Sequence, residues 1–163
     1  MTVITLSRRS LIVGAGAAGL LLTKSPGGFV TTAAAAPALA PTKSMPGGSN
    51  NYIAKAPMVD NLGKGFIVSG TVRRAGSGDP LANLRIQIWA STERGGEREP
   101  TNRGSVLTDA KGGFRLEMSQ ITPNFGQPHA HLAYDDGAFE TVFLRPLLAS
   151  KTDTAVQAHF VLA

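Results

Sequence analysis

Leu84-Arg85-Ile86-Gln87-Ile88-Trp89-Ala90 alternates between aliphatic side chains and polar or amphipathic ones. Successive side chains of a strand point to opposite faces, so Leu84, Ile86 and Ile88 share one face and Arg85, Gln87 and Trp89 the other. The stretch predicts a β-strand with one face toward a core. Outward from it the pattern recurs in 66–74, 104–108, 113–118, 128–134, 138–144 and 155–162. Turn signals divide these runs: Gly76-Ser77-Gly78-Asp79-Pro80, Asp109-Ala110-Lys111-Gly112 and Asp135-Asp136-Gly137. There is no convincing amphipathic helix and no internal repeat. The expected fold is all-β, a single β-sandwich of about seven to eight strands over residues 65–163.

The chain has 163 residues, and its beginning reads differently from the rest. Residues 1–40 hold no Asp or Glu but carry Arg8, Arg9 and Lys24, then an apolar run from Leu11 to Leu22 and an alanine-rich tract ending at Ala40. A basic flank, a short apolar core and a small-residue end make an export signal. Within it, Ser7-Arg8-Arg9-Ser10-Leu11-Ile12 resembles the twin-arginine type, and the expected location is periplasmic or extracellular. Twelve apolar residues fall short of the roughly 20 a spanning helix needs, so no stable membrane span is expected after processing. Gly14-Ala15-Gly16-Ala17-Ala18-Gly19 matches a dinucleotide fingerprint. The chain then runs into Pro26-Gly27-Gly28, and its first carboxylate anywhere is Asp60, so no nucleotide is expected.

The formal net charge is +5, but three of the sixteen Lys/Arg and none of the eleven Asp/Glu lie in residues 1–40, leaving 13 against 11 beyond it. Most of the basic excess belongs to the signal, which argues against nucleic acid as a partner. The loop from Thr92 to Arg103 interleaves Glu93, Glu97 and Glu99 with Arg94 and Arg98, the pattern of a solvated mixed surface. Cysteine is absent, which excludes a disulfide framework and a thiolate metal site. Residues 41–64, punctuated by Pro41, Pro46-Gly47-Gly48 and Pro57, read as a flexible arm.

Two of the three histidines stand one residue apart in Pro128-His129-Ala130-His131. On a strand they share a face, with Cα atoms about 6.5–7 Å apart. Two imidazoles so placed converge on one ion at about 2.0–2.1 Å each, and neutral imidazole suits zinc, copper or iron. His129 and His131 are therefore the candidate metal ligands, and they are half a site. His159 reads as a strand-edge histidine. Trp89 faces away from the aliphatic residues of its strand, to floor an aromatic-binding cleft or to cover the outer sheet face. No Ser-His-Asp order or phosphate loop stands out, and no catalytic residue is assigned.

Taken in order, Val68-Ser69-Gly70-Thr71-Val72, Pro80 to Trp89, Thr108-Asp109-Ala110-Lys111-Gly112-Gly113-Phe114 and Pro128-His129-Ala130-His131 resemble the catalytic domain of intradiol ring-cleavage dioxygenases. The likeness to these catechol and protocatechuate dioxygenases covers about residues 57–144. The Gly-x-Val strand and the Thr-Asp-x-x-Gly-x-Phe hairpin also recur in transthyretin-like modules. The resemblance implies a sandwich of that type and a non-haem ferric ion held by two tyrosinates and a His-x-His pair, acting on a catechol-type aromatic diol. His129 and His131 match the histidines. The tyrosines have no counterpart: the loop Ser91 to Arg103 contains none, and Pro123-Asn124-Phe125 offers a phenylalanine. Tyr52 lies in the arm, and Tyr134 falls on the strand face opposite His131. Gln127 stands where the family has an arginine, and Thr141-Val142 where it has Thr-Gln.

Two neutral imidazoles alone grip a hard trivalent ion weakly. A divalent ion helped by Glu97, Asp135 or Asp136 is the alternative occupant. The sequence thus points to an exported intradiol-dioxygenase-like protein using non-haem iron on a small aromatic diol. The alternatives are a non-catalytic cell-envelope binding module and a divalent-metal binder.

Overall fold

A computed structural model describes residues 38–124 and 126–163. The stretch expected to be an export signal, through residue 37, with the glycine fingerprint at 14–19, and Phe125 lie outside the described residues. Seven strands follow in order: β1 (Gly65–Arg74), β2 (Arg85–Ala90), β3 (Arg103–Leu107), β4 (Gly113–Ser119), β5 (Ala130–Tyr134), β6 (Val142–Leu144) and β7 (Ala155–Leu162). Among the described residues the only helical turn is a 3₁₀ turn at Pro100–Asn102, and no helix is long and apolar enough to cross a membrane. One sheet has the order β4-β1-β7 and the other β3-β2-β5-β6. β1 and β7 run parallel, and the remaining pairings are antiparallel. The all-β sandwich expected from the alternation is the fold observed.

Period-two patterning explains the layers. Phe66, Val68, Leu116 and Phe160 of the first sheet meet Ile86, Ile88, Leu132 and Tyr134 of the second, all with no exposed surface. Gly70 lets β7 approach β1, because a Cβ there would stand 1.6 Å from the Ala158 carbonyl oxygen and 2.6 Å from Phe114 Cζ. The turn before β4 is set by Asp109, whose Oδ1 accepts the backbone N–H groups of Lys111 and Gly113 at 2.8 Å each.

Two strand starts differ from the sequence pattern by more than one residue. β6 begins at Val142 rather than Ala138, because the N–H groups of Ala138 and Phe139 donate to the Tyr134 hydroxyl instead of to a ladder. His129 lies just before β5 in an isolated bridge to Leu147, while Pro128 supplies only its carbonyl, to Leu148 N–H at 2.8 Å.

Within residues 41–64, expected as a flexible arm, the stretch from 48 to 57 lies against the outer face of the four-stranded sheet, while Thr42 and Leu62 bond to β7 and β4 of the other sheet. Ser105 N–H donates to the Pro57 carbonyl at 2.7 Å, and Ala56 N–H donates to Gln87 Oε1 at 2.7 Å. The Trp89 indole N–H donates to the Asn50 carbonyl at 2.9 Å. Pro and Gly rule out regular structure in such a segment, but leave its carbonyls free to satisfy polar side chains of a sheet face. That cover turns the outer face into buried ground, with Gln87, Trp89, Ser105 and His131 all under a tenth exposed.

Candidate metal centre

β2 and β5 are neighbours in register, with Trp89 opposite His131. Both side chains point to the covered face, and their rings stack with centroids 5.1 Å apart and planes 6° from parallel. The flat indole fixes the orientation of the His131 imidazole. The His129 ring meets it edge-on at 4.9 Å. The two histidines that alternation places on one face are thus brought together.

The hydrogen bonds decide which nitrogen of each ring is available. His129 Nδ1 lies 2.8 Å from the Gln127 carbonyl oxygen and His131 Nδ1 3.0 Å from that of Gly48. A carbonyl only accepts, so both Nδ1 atoms carry protons, and in the neutral rings both Nε2 atoms present lone pairs. Those lone pairs face one carboxylate. His129 Nε2 is 3.3 Å from Glu97 Oε1, and His131 Nε2 is 3.5 Å from Glu97 Oε2. Three acceptor groups pointed at one another require a cation or a proton between them.

Glu97 comes from the loop expected to be solvated, and it is only 4% exposed. The loop is folded around the buried Asn102, which donates to the carbonyls of Gly95 and Gly96 at 2.8 and 3.0 Å and accepts from Thr92 Oγ1 at 2.7 Å. The Arg103 guanidinium donates to the Glu97 carbonyl at 2.7 Å. Four charged neighbours, Glu93, Arg94, Arg98 and Glu99, do face solvent. Glu97 alone turns inward, and charge interleaving carries no mark of which carboxylate will do so.

The carboxylate is held by amides. Asn51 Nδ2 donates to Glu97 Oε2 at 2.7 Å, and Asn124 Nδ2 donates to Oε1 at 3.0 Å. Asn51 sits at φ 55°, a left-handed conformation that asparagine tolerates, and its own Oδ1 accepts from Arg98 Nε at 2.9 Å. Burial by itself would raise the Glu97 carboxyl. The two amide donors, together with the positive charge either imidazole carries when protonated, outweigh burial and hold it below the usual carboxylate value. Burial lowers His131, more than the Gly48 carbonyl and Glu97 raise it, so the ring stays neutral near pH 7. An anionic Glu97 and a neutral His131 are protonation states a metal ion needs.

The donor set fits a divalent ion. Donors each about 2.0–2.1 Å from one tetrahedral ion are roughly 3.3–3.4 Å apart, and each imidazole nitrogen lies near that distance, 3.3 and 3.5 Å, from its own oxygen of Glu97. All three ligand atoms lie within 4.8 Å of one another, and all three residues are buried. His131 Nε2 is buried with no hydrogen-bond partner. Two histidines and one carboxylate suit ferrous iron or zinc with open positions. A ferric ion with two phenolates is not what these residues offer.

The remaining residues singled out from sequence fall elsewhere. Asp135 accepts from Gln87 Nε2 at 2.7 Å and from the Tyr52 hydroxyl, in a separate cleft of about 500 Å³ that Asp136 also lines. Burial, reinforced by Asp135, raises the Tyr52 phenol, which stays protonated and is no tyrosinate. Tyr134 is in the core. His159 is paired with Thr71 Oγ1 on the other sheet. Nothing local in the sequence marks Asn51 and Asn124 as the amides that hold Glu97, or Gly48 as the carbonyl that orients a distant ring.

No family model and no curated protein matches the chain. Solved structures do. A chlorocatechol 1,2-dioxygenase from Pseudomonas putida is 17% identical with a TM-score of 0.53, over 78% of this chain and 73% of that one. A hydroxyquinol 1,2-dioxygenase from Pseudomonas putida DLL-E4 is 12% identical with a TM-score of 0.57, over 76% and 67%. The dioxygenase domain of a dioxygenase–carbohydrate-binding fusion from Streptomyces sp. SirexAA-E is 16% identical with a TM-score of 0.54, over 68% and 91%. At these identities the likeness is one of fold: the chain has the β-sandwich of the intradiol dioxygenases.

Proposed function

We propose that this chain is a divalent-metal protein built on an intradiol-dioxygenase sandwich, with Glu97, His129 and His131 holding the ion. One observation carries the reading: two buried imidazoles, each with its Nδ1 proton committed to a backbone carbonyl, aim their Nε2 lone pairs at a single buried carboxylate. Glu97 stands in the loop where the resemblance places a tyrosine, so a carboxylate takes the place of a phenolate. When bound, such an ion supplies Lewis acidity and, as ferrous iron, a centre for dioxygen chemistry. The protein's part is to orient His129 through Gln127, His131 through Gly48 and Trp89, and Glu97 through Asn51 and Asn124.

A second reading, oxygenation of an aromatic diol, is supported by the fold likeness and by the positions that three protein ligands leave open. The cavity against the site is about 70 Å³ and is lined in part by Asn50 and Asn51. Small-molecule pockets run to about 300–1,000 Å³, so a diol requires that segment to move. We also propose export, which the arginine pair and apolar run of residues 1–40 support.

The test is metal analysis of protein purified without added metal. About one divalent ion per chain is expected, and almost none in the His129→Ala/His131→Ala variant. Metal-free wild type that also fails to take up ferrous iron or zinc would sink the proposal. Oxygen uptake with catechol by the iron-loaded protein separates the second reading from the first.

A further inference from the structure

Arg145 follows β6 and lines the same small cavity as Glu97, His129 and His131. Its Nη2 lies 3.5 Å from His129 Nδ1, but that nitrogen already donates its proton to Gln127, so the contact is not a hydrogen bond. Arg145 Nε is buried without a partner. Among the described residues no carboxylate oxygen comes within 4.0 Å of the guanidinium. The side chain is half-buried, and a cation so placed calls for an anion.

Four of the cavity's other polar side chains are already engaged. Asn51 and Asn124 direct their Nδ2 groups at Glu97, and both imidazoles direct Nδ1 at carbonyls. A divalent ion, the Glu97 carboxylate and the Arg145 guanidinium together leave a charge of about +2 in a space of about 70 Å³. That is far below the roughly 300–1,000 Å³ of small-molecule pockets, so as it stands the cavity favours an ion and a ligand of a few atoms over an aromatic ring. The planar fork of a guanidinium matches the two oxygens of a carboxylate.

We propose that the cavity binds a small carboxylate-type monoanion between the metal ion and Arg145. The inference rests on the metal reading and extends it to the ion's exogenous ligand. The test uses the full chain loaded with cobalt(II) and titrated with formate, followed by the metal's visible absorption. Formate should shift the cobalt bands and saturate. In Arg145→Gln, formate should bind about 10- to 100-fold more weakly, the loss expected for one charge-assisted pair. Cobalt affinity should be retained or raised, because a positive charge has left the ion's surroundings. Arg145→Lys, which keeps the charge without the fork, should fall between the two.

Formate affinity in Arg145→Gln equal to that of wild type would overturn the role of Arg145. An equal band shift from chloride at matched ionic strength would overturn the carboxylate class. Cobalt that fails to bind wild type at all overturns the metal reading itself, a result distinct from cobalt that binds and ignores formate.

Discussion

Exchanging Glu97 for glutamine removes the cavity's only carboxylate while keeping its shape. In the metal-free protein the carboxylate oxygens face two imidazole lone pairs at 3.3 and 3.5 Å and accept from Asn51 and Asn124. The substituted amide brings an N–H₂ that can donate to one Nε2, and sets a nitrogen against one of the two asparagine donors. The bond gained is worth about 0.5–1.5 kcal/mol and the charge-assisted bond lost about 1.5–3 kcal/mol, so the metal-free variant should melt no more than about 10 °C below wild type. The metal-bound state behaves oppositely. An ion present at 100 times its Kd stabilises wild type by about 2.7 kcal/mol, or roughly 10 °C for a domain of this size. If losing the anionic ligand weakens binding about 100-fold, the same metal concentration gives about 0.4 kcal/mol, or roughly 2 °C. Thermal melts of chelator-treated protein, with and without zinc, read both numbers. A Glu97→Gln variant that retains the wild-type metal shift would refute the assignment. So would one whose metal-free form melts more than 10 °C below wild type, since the carboxylate would then be a structural anchor.

Asn51→Ala removes one amide from Glu97 and breaks its tie to Arg98, so metal affinity should fall about 10- to 100-fold. Competition with a chromogenic chelator measures it, and unchanged affinity would show that Asn51 orients nothing. Gly70→Ala drives a Cβ into the Ala158 carbonyl where β1 meets β7, and should cost at least about 3 kcal/mol in denaturant unfolding. A midpoint equal to wild type would mean the parallel pairing is looser than the contact implies. Burial raises Tyr134 above the usual phenol range, outweighing the two backbone N–H donors that lower it. The folded chain therefore keeps this proton after the unfolded chain has lost it. The associated stability is present below about pH 10 and is lost as pH rises further. Tyr134→Phe should flatten that alkaline slope while costing about 1–3 kcal/mol at neutral pH, because the Ala138 and Phe139 N–H groups lose their acceptor.

The sandwich was legible in the sequence because strand alternation is local. The aliphatic faces of 84–90 and 113–118 predict their own burial without knowledge of what they pack against. The histidine pair was legible for the same reason, since two residues one apart on a strand share a face whatever the rest of the chain does. Glu97 was visible only as one of several carboxylates, and it lies 32 positions before His129 in a loop whose charges interleave. Its inward turn depends on the Asn102 network and on amides from residues 51 and 124, contacts that no period encodes. The stretch before residue 65 misled in a related way. Its prolines and glycines announce irregular backbone, and irregular backbone is what hydrogen-bonds to Trp89, Gln87 and His131 across the outer sheet face.

By itself, then, the sequence determined the strands, their inward faces and one half of a metal site. Tertiary structure decided which carboxylate completes that half, which imidazole nitrogen is free, and that the face carrying them is buried. Side-chain direction along a strand is fixed by the chain's own geometry. The partner across a cavity is fixed by packing between segments far apart in sequence.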